Sequence, residues 1–421
     1  MRVFIYFIGV VVLALLMVAG GMAALGRWSW GDAGWYYPWN NSPEYHLRCG
    51  QKALRLFKLE RARAVAARLR ADGHLDQSLL LGGESNFFEA KAYAEANQFA
   101  NAVPLFSAAL DSFNKIRDQG AIRLEAATRI GQTCIYLKRP AEAEHALKFV
   151  LSQQPDNVEA HRGLAVLYYD QGAMSLTLAH LEKVAELDPQ DGRPLRHMGF
   201  IYKDLEQYDK AVTCYEEALQ RNLPGHNREQ DPATVHMELA ECLVKLARYT
   251  DASAVLQHCE PWPGDEATVA ALRGECEFGM GQIDKARARL DEALEAHSDS
   301  QELIHIRAKI LIQDNDLKRA AELLERALRM DQHDYVSRYL LQQTYAKLGL
   351  KAEAAEQERR LEQTKKDIEE LAKLNREVLD NPWNRDKRLR LAEACDRLDK
   401  ADLAAMWRQA AAACPAPQVL P

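Results

Sequence analysis

The chemically reactive side chains of this chain follow no familiar catalytic or metal-binding pattern. Its 8 cysteines form no CxxC pair, and its 12 histidines include no HExxH motif and no close cluster. No glycine-rich phosphate-binding loop and no GxSxG motif occurs. Adjacent carboxylates such as Glu216 and Glu217 are typical of a solvated helix face rather than of a general acid–base pair. We therefore expect no enzyme activity, no catalytic residue, no cofactor and no metal ion.

Three of the cysteines are regularly spaced. Cys242, Cys259 and Cys276 are separated by successive steps of 17 residues, which would place them on successive helices. We expect them, like Cys134 and Cys395, to be small core residues. A disulfide among the three stays open, because spacing alone cannot establish one and an oxidising compartment would permit it.

A 34-residue period predicts the elements that position these side chains. Small residues recur at this step, with one interruption by an insertion of 7 residues within 222–232. The series consists of Ala143, Thr177, Ala211, Ala252, Ala286, Ala320 and Ala354. A fixed period of about 20 to 50 residues indicates a solenoid of repeats. Strand-like alternation is nowhere sustained, so we predict an all-α protein.

The repeat resembles the tetratricopeptide family, whose unit is a helix–turn–helix with small residues where the helices cross. The best match is Met198-Gly199-x2-Tyr202 followed by Ala211-x3-Tyr215. The family's structural positions fall here on Gly131, Ala143, Ala165, Gly199, Tyr202, Ala211, Ala218, Ala240, Ala252, Ala286 and Ala320. The resemblance implies an α-solenoid in which stacked repeats share one core.

The resemblance also implies a ligand groove formed by the first helix of each repeat. Its positions fall here on Arg129, Gln132, Arg162, Tyr169, Arg193, Arg196, His197, Phe200 and Lys203. Because five of these residues are cations, we expect a basic stripe that binds an acidic peptide or a C-terminal carboxylate. The alternative is that these cations form ion pairs with acids on the same face, namely Glu159, Asp170 and Asp204.

The first 25 residues are predicted to contact lipid. Residues 3–25 contain no charge and no proline, and about 20 apolar helical residues cross a bilayer. We expect a single-pass anchor with a cytoplasmic N-terminus and an extracytoplasmic solenoid, periplasmic if the cell is bacterial. A cleaved signal peptide and the reversed topology are alternatives. The aromatic residues of 28–39 are typical of a membrane interface, although they could instead pack on the solenoid.

We divide the chain into an anchor, an aromatic-rich linker, degenerate helical repeats, a solenoid core, and an extended helix with a terminal capping pair and tail, at residues 1–26, 27–43, 44–123, 124–363 and 364–421. Within the degenerate repeats, helix pairs are predicted over 44–70 and 85–113. A long helix over 352–379 is predicted to bury an apolar stripe of Leu361, Ile368, Leu371 and Val378.

A solenoid presents an extended surface to partner proteins. The formal net charge of −7 argues against nucleic acid as a partner, because nucleic acid binding needs a basic face. We therefore expect a membrane-anchored scaffold or assembly factor that binds partner proteins or peptides in its groove. Two alternatives stay open, namely a periplasmic chaperone-like binder of exported chains and an enzyme with a site in residues 44–120.

Overall fold

The computed structural model describes residues 42–221, 223, 231–259, 263–381 and 384–414. The predicted membrane anchor, the aromatic-rich linker up to residue 41, most of the polar insertion and the C-terminal tail lie outside these ranges. Among the helices that the structure describes, none combines the length and the apolar character needed to cross a membrane.

The described residues form twenty α-helices and contain no β-strand, which confirms the predicted all-α class. In chain order the helices are α1 (Pro43–Arg55), α2 (Leu59–Ala71), α3 (Leu75–Glu95), α4 (Phe99–Asn114), α5 (Ala121–Tyr136), α6 (Pro140–Gln153), α7 (Val158–Asp170), α8 (Met174–Leu187), α9 (Arg193–Asp204), α10 (Tyr208–Gln220), α11 (Pro232–Lys245), α12 (Tyr249–Leu256), α13 (Glu266–Gly279), α14 (Ile283–Ala296), α15 (Gln301–Gln313), α16 (Leu317–Met330), α17 (Tyr335–Lys347), α18 (Lys351–Asp380), α19 (Arg385–Arg397) and α20 (Ala401–Ala412).

A left-handed residue ends the first helix of each repeat. These residues have positive φ and are Lys138, Gly172, Glu206, Ala247, Gly281, Asn315 and Gly349. Each lies five residues before a member of the small-residue series. The next amide donates to a carbonyl five residues earlier, as Arg139 does to Cys134 at 2.8 Å, which is the hydrogen bond of a Schellman motif. The motif turns the chain sharply and starts the second helix at a fixed position.

The same turn occurs outside the predicted core. Phe57, Asn97 and Asp399 have positive φ, and a fully buried alanine lies five residues after each of them. The degenerate pairs at both ends of the described chain are therefore built like the regular repeats, although their sequences match the pattern poorly.

The small residues of the repeat lie where two helices come close together. All of the predicted small positions are buried, namely Gly131, Ala143, Ala165, Gly199, Ala211, Ala218, Ala240, Ala252, Ala286 and Ala320. A Cβ atom added at Gly131 would lie 2.4 Å from Leu147 Cγ, and one at Gly199 would lie 2.8 Å from the ring of Tyr215. Tyr202 is partly buried and packs against the cores of two neighbouring repeats.

The start of the second predicted helix pair was wrong. α3 begins at Leu75 rather than at residue 85 and is 21 residues long. The consecutive glycines Gly82 and Gly83 resemble a turn in the sequence, but they lie inside this helix. Gly83 is needed for packing, because a Cβ atom there would lie 2.5 Å from the ring of Phe113.

The predicted apolar stripe of α18 was also partly wrong. Ile368 is exposed, whereas Leu374 and Val378 are buried. The polar residue Asp367 is buried on this helix because Arg397 donates to its carboxylate at 3.0 Å. A stripe defined by apolar residues alone cannot include an acid that is buried through an ion pair.

By internal contacts the chain divides into two compact units, Met1–Gly163 and Leu164–Pro421, with the boundary inside α7. The first unit has a core that includes Phe87, Phe106 and Phe113. The predicted domain boundaries follow repeat register, which is a different criterion, and they stay predictions.

In the second unit the last helix pair contacts the first turn. The indole of Trp407 packs on Gly172, where an added Cβ atom would lie 2.7 Å from the ring. The fully buried guanidinium of Arg388 donates to the carbonyl of Ala410 at 2.6 Å and to the carbonyl of Gln171. The terminal pair α19–α20 is thus joined to the turn that precedes α8.

Candidate functional site

First helices of the second unit line an open cavity of about 430 Å³, which we call the first-helix groove. It is formed by α9, α11, α13, α15 and α17, together with the start of α10. Its polar lining consists of Lys203, Glu241, Lys245, Thr268, Glu275, Glu302, His305 and Lys309. Its apolar lining consists of Tyr208, Val244, Ala271, Leu272, Ile306 and Val336.

The repeat step explains which residues face the groove. Because successive first helices begin after equivalent turns, residues 34 apart face the same side, as Glu275 and Lys309 do. Across the insertion the step is 41 residues, which relates the predicted groove residue Phe200 to Glu241 and Lys203 to Val244. Extending the predicted positions by these steps would have found much of the cavity lining, which the sequence analysis missed.

The charges along the groove are paired between neighbouring helices. Lys203 Nζ lies 2.8 Å from Glu241 Oε2, and Lys309 Nζ lies 3.3 Å from Glu275 Oε1. Burial lowers the pKa of Lys203, but attraction to Glu241 outweighs burial and leaves the pKa above its ordinary value. The lysine therefore stays protonated at neutral pH, and the groove carries matched charges around its apolar side chains.

His305 is held by two partners at one ring nitrogen. Its Nε2 lies 2.6 Å from Asp334 Oδ2 and 3.1 Å from Ser337 Oγ. Burial opposes ionisation of Asp334, but hydrogen bonds from His305 and Ser337 outweigh it and lower the pKa of Asp334. A catalytic triad uses different ring nitrogens for the nucleophile and the acid, so this geometry positions His305 without forming such a relay. In the described ranges no three metal-ligating side chains converge.

A buried ion pair joins α9 to α11. Arg196 donates to both carboxylate oxygens of Glu238, at 2.7 and 3.2 Å. Burial raises the pKa of Glu238, and Arg196 offsets only part of this effect. An ion pair taken out of water costs desolvation free energy, so this pair fixes the relative position of two helices more than it stabilises the fold.

Three predicted groove residues lie in the first unit. Arg129 Nε donates to Glu84 at 2.9 Å, and its terminal nitrogen donates to Gln132 at 2.9 Å. Gln132 donates in turn to Glu159 at 3.3 Å. Arg162 pairs with the same carboxylate, Glu159, at 2.8 Å. These side chains form one hydrogen-bonded network with acids of α3 and α7.

The second unit contains the other six, Tyr169, Arg193, Arg196, His197, Phe200 and Lys203. Arg193 pairs with Asp191 at 2.8 Å, and the ammonium of Lys203 lies 5.8 Å from the ring centroid of Phe200. Tyr169 and His197 are exposed. Each of the five predicted cations therefore has a carboxylate partner, which is the arrangement of the ion-pair alternative. Ligand binding by these residues stays a prediction.

A comparison with protein-family models finds the tetratricopeptide repeat in this chain. The model matches residues 129–192, 201–266, 273–335 and 307–368, which together cover more than half of the chain. The matched residues include the first-helix groove and most of the residues predicted from the repeat register.

Relatives share the repeat at low identity. DnaJ homolog subfamily C member 3 of Gallus gallus is 24% identical over 283 residues, 63% of this chain and 54% of the relative, so the chain spans about half of its length. A tetratricopeptide repeat protein from Parabacteroides merdae is 18% identical with a TM-score of 0.39, over 62% of this chain and 98% of that one. YrrB, described as a protein with an unusual peptide-binding site, is 17% identical with a TM-score of 0.29, over 44% and 93%.

Proposed function

Because the chain belongs to the tetratricopeptide repeat family, whose solenoids present concave surfaces to partners, we propose that it is a scaffold that binds a segment of a partner protein in the first-helix groove. The observation that carries the proposal is the cavity of about 430 Å³ on α9–α17, whose apolar side chains are framed by paired charges. A groove of this kind suits a peptide with apolar anchors and a few oriented polar contacts.

The paired lysines define how an acidic ligand could bind. A carboxylate of the ligand has to compete with Glu241 for Lys203 and with Glu275 for Lys309. Lys245 is exposed at the same surface and adds a third cation. An acidic peptide or a C-terminal carboxylate would therefore bind by ion-pair exchange, and we expect its affinity to fall as salt concentration rises.

We tested no other site as sharply suited to a peptide as this groove, so the decisive experiment compares groove and control variants of the full-length chain. The groove variant is Lys245→Glu with Val336→Asp, both at exposed positions of the groove. The control variant, Lys318→Glu with Leu403→Asp, makes the same change of charge at exposed positions of α16 and α20.

A photo-crosslinking amino acid at Thr268 would capture partners, which mass spectrometry would then identify. We expect the groove variant to lose specific crosslinked partners and the control variant to retain them. Equal capture by the wild type and both variants would show that the groove is not the binding surface.

We further propose that residues 3–25 anchor the protein in a membrane with the N-terminus in the cytoplasm and the repeats outside it. The support is the run of 23 residues without charge or proline. Resistance to carbonate extraction, together with protease digestion of the repeats from the extracytoplasmic side only, is the expected result. Release by carbonate would favour a cleaved, chaperone-like binder of exported chains, and protection of the repeats in intact cells would favour the reversed topology.

A further inference from the structure

Large apolar side chains are exposed at the helix turns of the first unit. Phe57 is 67% exposed in the turn between α1 and α2, and the neighbouring Leu56 is 50% exposed. Phe99 is 59% exposed at the start of α4, and Tyr136 is exposed at the end of α5. Burial would remove a large apolar area from water at each of these positions, so their exposure is costly unless another surface covers them.

These positions lie along one edge of the unit. Consecutive helices joined by tight turns run antiparallel, and α3 contacts both α1 and α5. The ends of α1, α3 and α5 therefore point in the same direction, which brings the turns after Arg55, Glu95 and Tyr136 to one edge. The ring of Tyr136 stacks on Phe106 of α4 at 4.5 Å and connects the last two turns.

The same turns carry exposed cations beside the apolar side chains. Arg55 and Lys58 flank the first turn, and Lys138 and Arg139 follow the third. The opposite edge differs, since its turns mix cations with four acids, Asp72, Asp76, Asp118 and Asp156. We call the first surface the basic aromatic edge, defined by Arg55, Leu56, Phe57, Lys58, Phe99, Tyr136, Lys138 and Arg139.

We propose that the basic aromatic edge docks onto the surface of an anionic phospholipid bilayer. Aromatic side chains partition into the headgroup layer, and lysine and arginine beside them are attracted to anionic lipid. The exposed cations of this edge give the required charge complementarity. Docking would fix the orientation of the first unit against the bilayer instead of leaving it tethered by the linker alone.

The inference rests on the proposed attachment through residues 3–25, which would keep the first unit close to a bilayer. Only residues 26–41 separate that segment from the described chain, and sixteen residues span at most about 55 Å. A weak surface contact is favoured under this condition, because tethering raises the effective concentration of lipid at the edge.

The test is hydrogen exchange of the full-length chain in nanodiscs. One preparation contains phosphatidylcholine alone, and the other contains equal parts of phosphatidylcholine and phosphatidylglycerol. We expect slower exchange of the turns at 55–59 and 96–100 in the anionic nanodiscs only, with the difference lost at high salt. The variant Phe57→Ser with Phe99→Ser should lose this difference, and the control Leu403→Ser with Met406→Ser, which changes exposed residues of α20, should keep it.

Equal exchange in the two lipids, with the core helices protected, would overturn the proposal. Protection that appears only when a partner protein is added would overturn it as well and would assign the edge to protein binding. Attachment and groove binding are measured separately by carbonate extraction and crosslinking, so failure of this proposal is distinguishable from failure of the proposed function.

Discussion

Burial makes most cysteines of this chain poor nucleophiles. It raises the pKa of Cys134 to about 11 and the pKa values of Cys242 and Cys276 to about 12. All eight cysteines lie in the described part of the chain, and none forms a disulfide. The regular spacing of Cys242, Cys259 and Cys276 therefore reflects their burial in successive repeats, and they pack as small apolar residues.

Thiol labelling should reproduce this distribution. We expect a maleimide to modify Cys49 and Cys414 first, since these two are only partly buried, and the other six only after unfolding. Mass spectrometry of the protein labelled without reductant would count them. Fewer than eight labelled thiols after unfolding would indicate a disulfide and contradict the structure.

The packing of small residues predicts the effect of enlarging one of them. Ala211→Leu places three extra carbons at a fully buried contact and should destabilise the fold by about 1–3 kcal/mol. Ala372→Leu, at an exposed position of α18, is the matched control and should have little effect. Urea unfolding would compare them, and equal stability of the two variants would mean that the repeat register is wrong at Ala211.

A buried carboxyl group predicts a pH dependence in the first unit. Burial raises the pKa of Glu125, and the nearby Glu84 adds to this effect. An acid with a raised pKa in the folded state destabilises the fold when ionised, and this loss is relieved as pH falls through that pKa. Glu125→Gln should therefore stabilise the protein at about pH 7 and lose this advantage near pH 4.

The glutamine should preserve the hydrogen bond that Gln51 donates to this side chain at 2.7 Å. Glu216→Gln, at an exposed position of α10, is the control for general effects of charge. The measurement is urea unfolding at both pH values. A stability difference for Glu125→Gln that does not change with pH would contradict the assignment.

At the scale of elements, the left-handed turn is the shared feature of the repeats. Its geometry is tolerated by different residue types, since Ala247 has φ 57° and Gly281 has φ 76°. Non-glycine residues are strained in this conformation, whereas the Schellman hydrogen bonds require it. This explains why the repeat pattern can fade in sequence while the helix pairs keep their form.

Exchanging these two residue types tests the turn directly. Ala247→Gly should stabilise the protein by up to about 1 kcal/mol, and Gly281→Ala should destabilise it by about 1–2 kcal/mol. No atom lies within 4 Å of a Cβ placed on Gly281, so its substitution reports backbone strain and not crowding. Thermal unfolding would measure both variants, and a neutral Gly281→Ala would exclude strain as the cause.

At the scale of the whole molecule, the second unit is closed by contacts between its last helices and its first turn. Arg388, Trp407 and Gly172 meet although more than 200 residues separate the ends of this contact. Trp407→Ala should destabilise the fold by about 3–5 kcal/mol, because the indole is almost completely buried.

Hydrogen exchange would localise this effect. In the Trp407→Ala variant, exchange should accelerate both in α19–α20 and in the turn at 171–173. Leu403→Ala changes an exposed residue of the same helix and should leave both segments protected. Unchanged protection of the turn in Trp407→Ala would show that the contact does not hold the two segments together.

The local features of the fold could be predicted from sequence because they repeat. The small-residue series identified the helix crossings, and Asn381 correctly marks the end of α18. The start of α3 could not be predicted, because Gly82 and Gly83 have the local character of a turn and only packing against Phe113 shows their role. The burial of Asp367 likewise depends on Arg397, which lies on another helix.

The sequence by itself determined the all-α class, the repeat and its family, since a period of small residues is a local pattern that stacking must satisfy. It also determined which positions of each first helix would share a face. Only the tertiary structure decided the partners of the charged residues: Arg129 meets Glu84 and Arg196 meets Glu238 across 45 and 42 residues. Charge pairing depends on distances between helices, and no local pattern encodes which carboxylate a cation will reach.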